Sequence, residues 1–174
     1  TLSLLDIPGV CPEAESLFIA CSSGTSRNNT WINCFDIRDF GASPPFFLQS
    51  VNFWIANAVE NTLEVVVFEG TENATSGVSA TVLHWESIPN PFTNGNSTHI
   101  LTSPIEVTTD TVCVGIFSPD GANAGVRTAI ADEPGTGTES YVLAPDCGLD
   151  DPTPVGTFDF KVDFCIEADV VPSG

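Results

Sequence analysis

Six cysteines are the residues best equipped for covalent chemistry in this chain: Cys11, Cys21, Cys34, Cys113, Cys147 and Cys165. No C-x-x-C pair occurs, and the spacings fit no zinc pattern. An even number of cysteines without metal spacing points to disulfides, which persist in oxidising compartments. Many connectivities are open. Chain distance favours Cys11–Cys21 as a local staple, with Cys113–Cys147 closing the region after residue 117 and Cys34–Cys165 tying an early strand to the last one. A loop as long as Cys34–Cys165 contributes about 4–5 kcal/mol through the entropy it removes from the unfolded chain.

Three N-x-[ST] sequons accompany the cysteines, at Asn28, Asn73 and Asn96. Each lies in a polar, loop-like stretch, so each is a candidate glycosylation site at the surface. Together with the cysteines they place the chain outside the cytosol, secreted or at a cell surface. The first residue is Thr1, and no basic-plus-apolar leader precedes the domain, which fits a mature secreted form or an excised fragment.

Catalytic chemistry is thinly supplied. The two histidines, His84 and His99, are expected to be ordinary strand or loop residues. No G-x-S-x-G elbow supports a hydrolytic serine. With 23 acidic residues some carboxylate pair always meets glycosidase spacing, so that criterion selects nothing.

Binding chemistry is better represented. Asp146-Cys147-Gly148-Leu149-Asp150-Asp151 gathers three carboxylates around a glycine turn. Calcium takes six to eight oxygens from such loops, so Asp146, Asp150 and Asp151 are candidate Ca2+ ligands. Trp31, Trp54, Trp85 and Tyr141 are candidates for a sugar platform, because flat rings stack on pyranose faces. Trp54 alternates with Val51, Phe53 and Ile55, which puts it on the face away from the core.

Strands must position these residues, since no helical periodicity survives the Pro and Gly breakers. Phe158, Phe160, Val162, Phe164 and Ile166 alternate with polar residues and form one long strand. Further strands are expected at 51–55, Leu63–Glu69, Val78–Glu86, Ile100–Val107, Thr111–Phe117 and Ser140–Ala144, and also at Trp31–Asp36 and Val126–Ile130. Residues 12–20 could form a short helical turn or run into a strand. Thr109-Asp110 reads as a hairpin turn.

Strands recurring without helices give an all-β class. A two-sheet β-sandwich of about 8–10 strands is expected, a jelly roll first and an immunoglobulin-like sandwich second. The 174 residues suit one domain, with 1–10 an extended N-terminal arm and 170–174 a flexible tail. The layout is similar to bacterial and algal secreted jelly-roll modules. That likeness covers most of the chain but rests on no motif, so it transfers no functional residues.

Charge narrows the partners. Four basic residues (Arg27, Arg38, Arg127, Lys161) face 23 acids, a net charge of −19. Nucleic acid and anionic membrane surfaces are disfavoured, and no apolar run suits membrane insertion. Neutral glycans, calcium or other subunits of an extracellular assembly are the partners the composition permits. The expected function is non-catalytic: an assembly subunit or recognition module, with a calcium-assisted carbohydrate-binding module as the alternative and a secreted hydrolase third. If the cysteines are all bridged, the native protein shows no free thiol, and reduction adds about six hydrogens by intact mass, two per bridge.

Overall fold

In a computed structural model the chain is described at residues 2–4, 18–19, 29–56, 63–70, 82–89, 95–118, 125–130, 138–155 and 162–173. Strands dominate: β1 (Leu2–Leu4), β2 (Phe18–Ile19), β3 (Asn29–Asp36), β4 (Phe46–Ala56), β5 (Leu63–Glu69), β6 (Val82–Ile88), β7 (Gly95–Val107), β8 (Thr111–Ser118), β9 (Gly125–Ile130), β10 (Thr138–Ala144), β11 (Leu149–Pro154), β12 (Val162–Phe164) and β13 (Ile166–Pro172). They form two antiparallel sheets. The first has the order β1-β13-β4-β9-β12, with β7 also paired to β4 and β2 to β9. The second runs β11-β10-β3-β8-β5-β6. This is the expected all-β sandwich.

Period-two patterning explains which face of each strand is buried. Trp31 and Phe35 of β3, Val65 and Val67 of β5, and Phe53 and Ile55 of β4 meet in one apolar core between the sheets. The second sheet is also buried on part of its outer face, where Ile32, Cys34, Val66, Phe68, Cys113 and Tyr141 cluster. Gly115 sits in this outer layer. A Cβ there would come within 2.9 Å of Val66 Cγ1 and 3.1 Å of Ile32 Cγ1, so only glycine allows these side chains to close over β8.

Several expectations change. Thr109-Asp110 does not close a hairpin: β7 pairs with β4 in the first sheet and β8 with β3 and β5 in the second, so the turn carries the chain between sheets. Of the tail expected over 170–174, Val170–Pro172 is strand, with Val170 fully buried, and Ser173 bonds back to the Pro45 carbonyl. Part of the N-terminal arm is docked, with Leu2, Ser3 and Leu4 in register with Val170, Asp169 and Ala168. Of residues 12–20, Phe18–Ile19 is strand and pairs with β9. The strand expected over 158–166 breaks at Cys165 and continues to Pro172 as β13; Phe158 and Phe160 lie outside the described residues.

Disulfide pairing also differs. Cys34 bonds Cys113, 79 residues away, in place of the expected Cys34–Cys165 and Cys113–Cys147 bridges. The two residues lie directly opposite each other on β3 and β8, with Cα atoms 4.0 Å apart. Cys147 and Cys165 are disulfide-bonded as well. The pairing of Cys11 with Cys21 lies outside the described residues.

One buried polar group spans the core. Asn33 points inward from β3 and donates to the carbonyls of Phe164 and Ile166, at 2.8 and 2.9 Å. Its own carbonyl accepts the Ser140 hydroxyl at 2.6 Å, and Ser140 Oγ accepts the Phe164 N–H at 3.1 Å. These bonds satisfy the backbone where β12 gives way to β13. Asn33→Leu strands two carbonyls and a hydroxyl in an apolar core, and is expected to lower unfolding free energy by about 2–5 kcal/mol in urea titrations, with Ser140→Ala costing less.

Candidate functional site

Along β13, Ile166, Ala168 and Val170 point into the core, so Glu167 and Asp169 point outward. Register places Glu167 opposite Asn52 and Asp169 opposite Ser50 on β4. Across the other edge of β4, Asn52 lies opposite Thr98 on β7. A bulge at Gln49 lets Leu48 and Val51 both face the core and turns Ser50 outward.

These side chains are hydrogen-bonded into a lattice across three strands. Asp169 Oδ2 accepts from Ser50 Oγ at 3.0 Å and lies 3.5 Å from Asn52 Nδ2. The Thr98 hydroxyl donates to Asn52 Oδ1. Trp54, half-buried, is the next outward residue of β4. Burial pushes the Glu167 carboxyl above the usual glutamate range, and the neighbouring Asp169 charge pushes it further. The result is a sheet face that presents carboxylate, amide, hydroxyl and indole groups together, a mixture suited to reading a hydroxylated ligand.

A second polar group closes the side of the sandwich where β6 faces β7. His84 and Glu86 alternate with Trp85 and point toward the gap between the sheets. Glu86 Oε1 lies 3.1 Å from His84 Nε2, and Oε2 bonds His99 Nε2 on β7. The Thr102 N–H donates to both oxygens, at 3.1 and 3.2 Å. That amide is available because β7 bulges between Ile100 and Ile105, opposite Ser50 and Leu48. Both histidines of the chain therefore serve one carboxylate, whose side chain is 12% exposed. Burial opposes its charge, but the His99, His84 and Thr102 hydrogen bonds outweigh that and hold the Glu86 carboxyl at about 2. No three His, Cys, Asp or Glu groups among the described residues are arranged to hold a metal ion.

The aromatic candidates separate. Trp31 is fully buried in the core and Tyr141 is 4% exposed, so neither offers a ring face to a ligand. Trp54 borders the lattice on the first sheet. Trp85 is 46% exposed on the opposite side of the molecule, on the outer face of the second sheet.

The acidic loop becomes a short 3-10 turn at Pro145–Cys147 followed by β11. Asp150 and Asp151 are successive exposed strand residues and point to opposite faces, which does not bring them to one cation. The Asp146 side chain lies outside the described residues. So do Asn28 and Asn73. Asn96 stands within β7 opposite Trp54, not in the loop expected for it.

Sequence reasoning missed Glu86, Asn52, Thr98, Glu167 and Asp169. The available signals were the alternations His84-x-Glu86 and Glu167-x-Asp169, which put each pair on one strand face.

No protein-family model matches this sequence, and comparison with curated proteins finds no match. Two solved structures are similar in fold. One contains the cysteine protease and lectin-like domains of Cwp84, a surface layer associated protein of Clostridium difficile, with a TM-score of 0.62, 16% identity, and coverage of 90% of this chain and 36% of that one. The other is the clostridial cysteine protease Cwp84 after propeptide cleavage, with a TM-score of 0.61, 17% identity, and coverage of 86% and 37%. This chain thus spans little more than a third of either protein's length, and the likeness is one of fold.

Glu86 ties acid stability to the gap between the sheets. Its folded value lies below the ordinary 4.5, so its contribution is present above that range and is lost as pH falls toward about 2. Glu86→Gln is expected to cost about 1–3 kcal/mol at neutral pH. In urea melts across the acid range, the difference from the parent chain should narrow between pH 4.5 and about 2.

Proposed function

We propose that this chain is an extracellular recognition module that binds a neutral saccharide, without turnover, on the outer face of its first sheet. The observation that carries this reading is the Asp169–Ser50–Asn52–Thr98 lattice. Sugar hydroxyls both donate and accept, and they are matched by fixed rows of carboxylate, amide and hydroxyl groups. Trp54 supplies an indole beside that row for the apolar face of a pyranose. A neutral ligand fits a net charge of −19 better than an anionic polymer does.

Other features support the setting. The cysteines are bridged wherever they are described, as suits an oxidising compartment. A fold neighbour carries a lectin-like domain in a surface layer associated protein, and a chain whose described residues are mostly strand, covering about a third of it, is compatible with that part. Assembly is the second reading, and β1 favours it: a three-residue strand adds itself to β13, the mode by which extended segments join sheet edges.

A glycan array followed by calorimetry tests the saccharide reading. Asn52→Ala and Asp169→Ala are each expected to weaken binding by about 1–2 kcal/mol, and Trp54→Ala by about 1–3 kcal/mol, with thermal melts confirming a folded chain. Unchanged affinity in all three variants would overturn the assignment of the face. Glycan hydrolysis abolished by Glu167→Gln would overturn the non-catalytic reading.

A further inference from the structure

The outer face of the second sheet carries an aromatic corner unrelated to the lattice. Trp85 on β6 and Phe117 on β8 are separated by β5, yet their ring centroids are 5.1 Å apart. Strand spacing of about 4.8 Å puts β6 and β8 roughly twice that distance apart, so both rings lean over the strand between them. Val66, directly opposite Trp85, is fully buried. The two rings meet edge to face at 65°, so Phe117 braces the indole, which remains 46% exposed.

A carboxylate residue shares this face of the sheet with the two rings. Glu64 of β5 is opposite Phe117 on one side and Ser87 on the other, and one diagonal step from Trp85. Alternation with Leu63 and Val65, both in the core, places Glu64 on the same outer face as the rings. It has no cationic partner among the described residues, and the chain has only four basic residues to offer.

An exposed indole braced by a second ring, on the same face as an unbalanced carboxylate, attracts one chemical class above others. A cation over an indole face gains from the ring quadrupole, and a nearby negative charge adds to that gain. An alkylated ammonium loses little hydration on entering such a corner, and its methyl groups pack on the apolar indole. A sugar would find one carboxylate and the exposed Ser87, without the row of amide and hydroxyl groups present on the first sheet. We propose that the Trp85–Phe117–Glu64 corner binds a quaternary ammonium group. The −19 charge of the chain draws such a ligand in from solution.

The test follows tryptophan fluorescence, and the Trp85 indole N–H resonance, of the full chain during titration with choline, a trimethyl-lysine peptide and the neutral isostere 3,3-dimethylbutanol. Choline or the peptide should give saturable binding roughly tenfold tighter than the isostere. Binding of both cations locates recognition in the shared head group; preference for one assigns the source. Glu64→Gln should weaken cation binding several-fold, and Trp85→Ala should abolish it while the melting curve stays cooperative. Because Phe117 is partly buried, Phe117→Leu serves as the variant of the brace and should also weaken binding. Asn52→Ala and Asp169→Ala should leave choline binding unchanged, which separates this corner from the saccharide face. Equal binding of choline and the isostere, binding that survives in Trp85→Ala, no saturation by either cation, or tighter binding of methyl glucoside than of choline would each overturn the proposal.

Discussion

The relative position of the two sheets depends on the side chain of Asn33. The carbonyls of Phe164, at the end of β12, and Ile166, at the start of β13, lie where the chain breaks from one strand into the next. Both meet the Asn33 amide from the other sheet. An apolar core alone tolerates sliding of one sheet over another, since hydrophobic contact is non-directional. Two donors with fixed geometry do not. With β13 held at that register, Glu167 and Asp169 fall beside Asn52 and Ser50, and the outer lattice follows. Glu86 acts similarly on the other side of the core, bridging β6 to β7. Polar pins therefore flank the apolar interior and set the alignment that the interior fills.

Much of the strand content was legible because one buried face imposes a period of two. Leu63–Glu69 is a strand over the same residues in both readings, and Thr111–Phe117 differs by one residue at its end. Trp54 was placed correctly on the outer face by the same alternation. Connections were less legible. Thr109-Asp110 resembles a hairpin turn locally, and only the pairing of β7 with β4 reveals a crossing between sheets. Trp31 misled because Trp31-Ile32-Asn33-Cys34-Phe35 is buried on both faces, so its aromatic ring is packing material. The lattice residues are far apart in sequence, and register alone assembles them. Asn33 gave no sign either, since an asparagine within an apolar run reads as an interruption until its backbone partners are known.

The two outer faces have different characters, which the disulfide helps explain. Cys34 and Cys113 join strands already paired by backbone hydrogen bonds, so the bridge adds little to local architecture. Its contribution comes from the unfolded chain, where closing a loop of 79 residues is worth about 4–5 kcal/mol in the entropic view. It lies within the covered apolar layer of the second sheet with Phe68 and Tyr141. The corresponding face of the first sheet is polar and partly open. One face is thus committed largely to packing, leaving Trp85 at its margin, and the other is available to solvent.

The bulge in β7 has a consequence for how this protein behaves when crowded. Among the described residues β7 pairs only with β4, which makes its other side a sheet edge. A flat edge would offer a ladder of free amides to any neighbouring chain. Here Pro104 lacks an amide hydrogen, the Thr102 amide is occupied by Glu86, and the excursion between Ile100 and Ile105 breaks the ladder. The irregularity that recruits Glu86 also makes this edge a poor template for growth into fibres. At high concentration, copies of this chain can then stay distinct despite their high strand content.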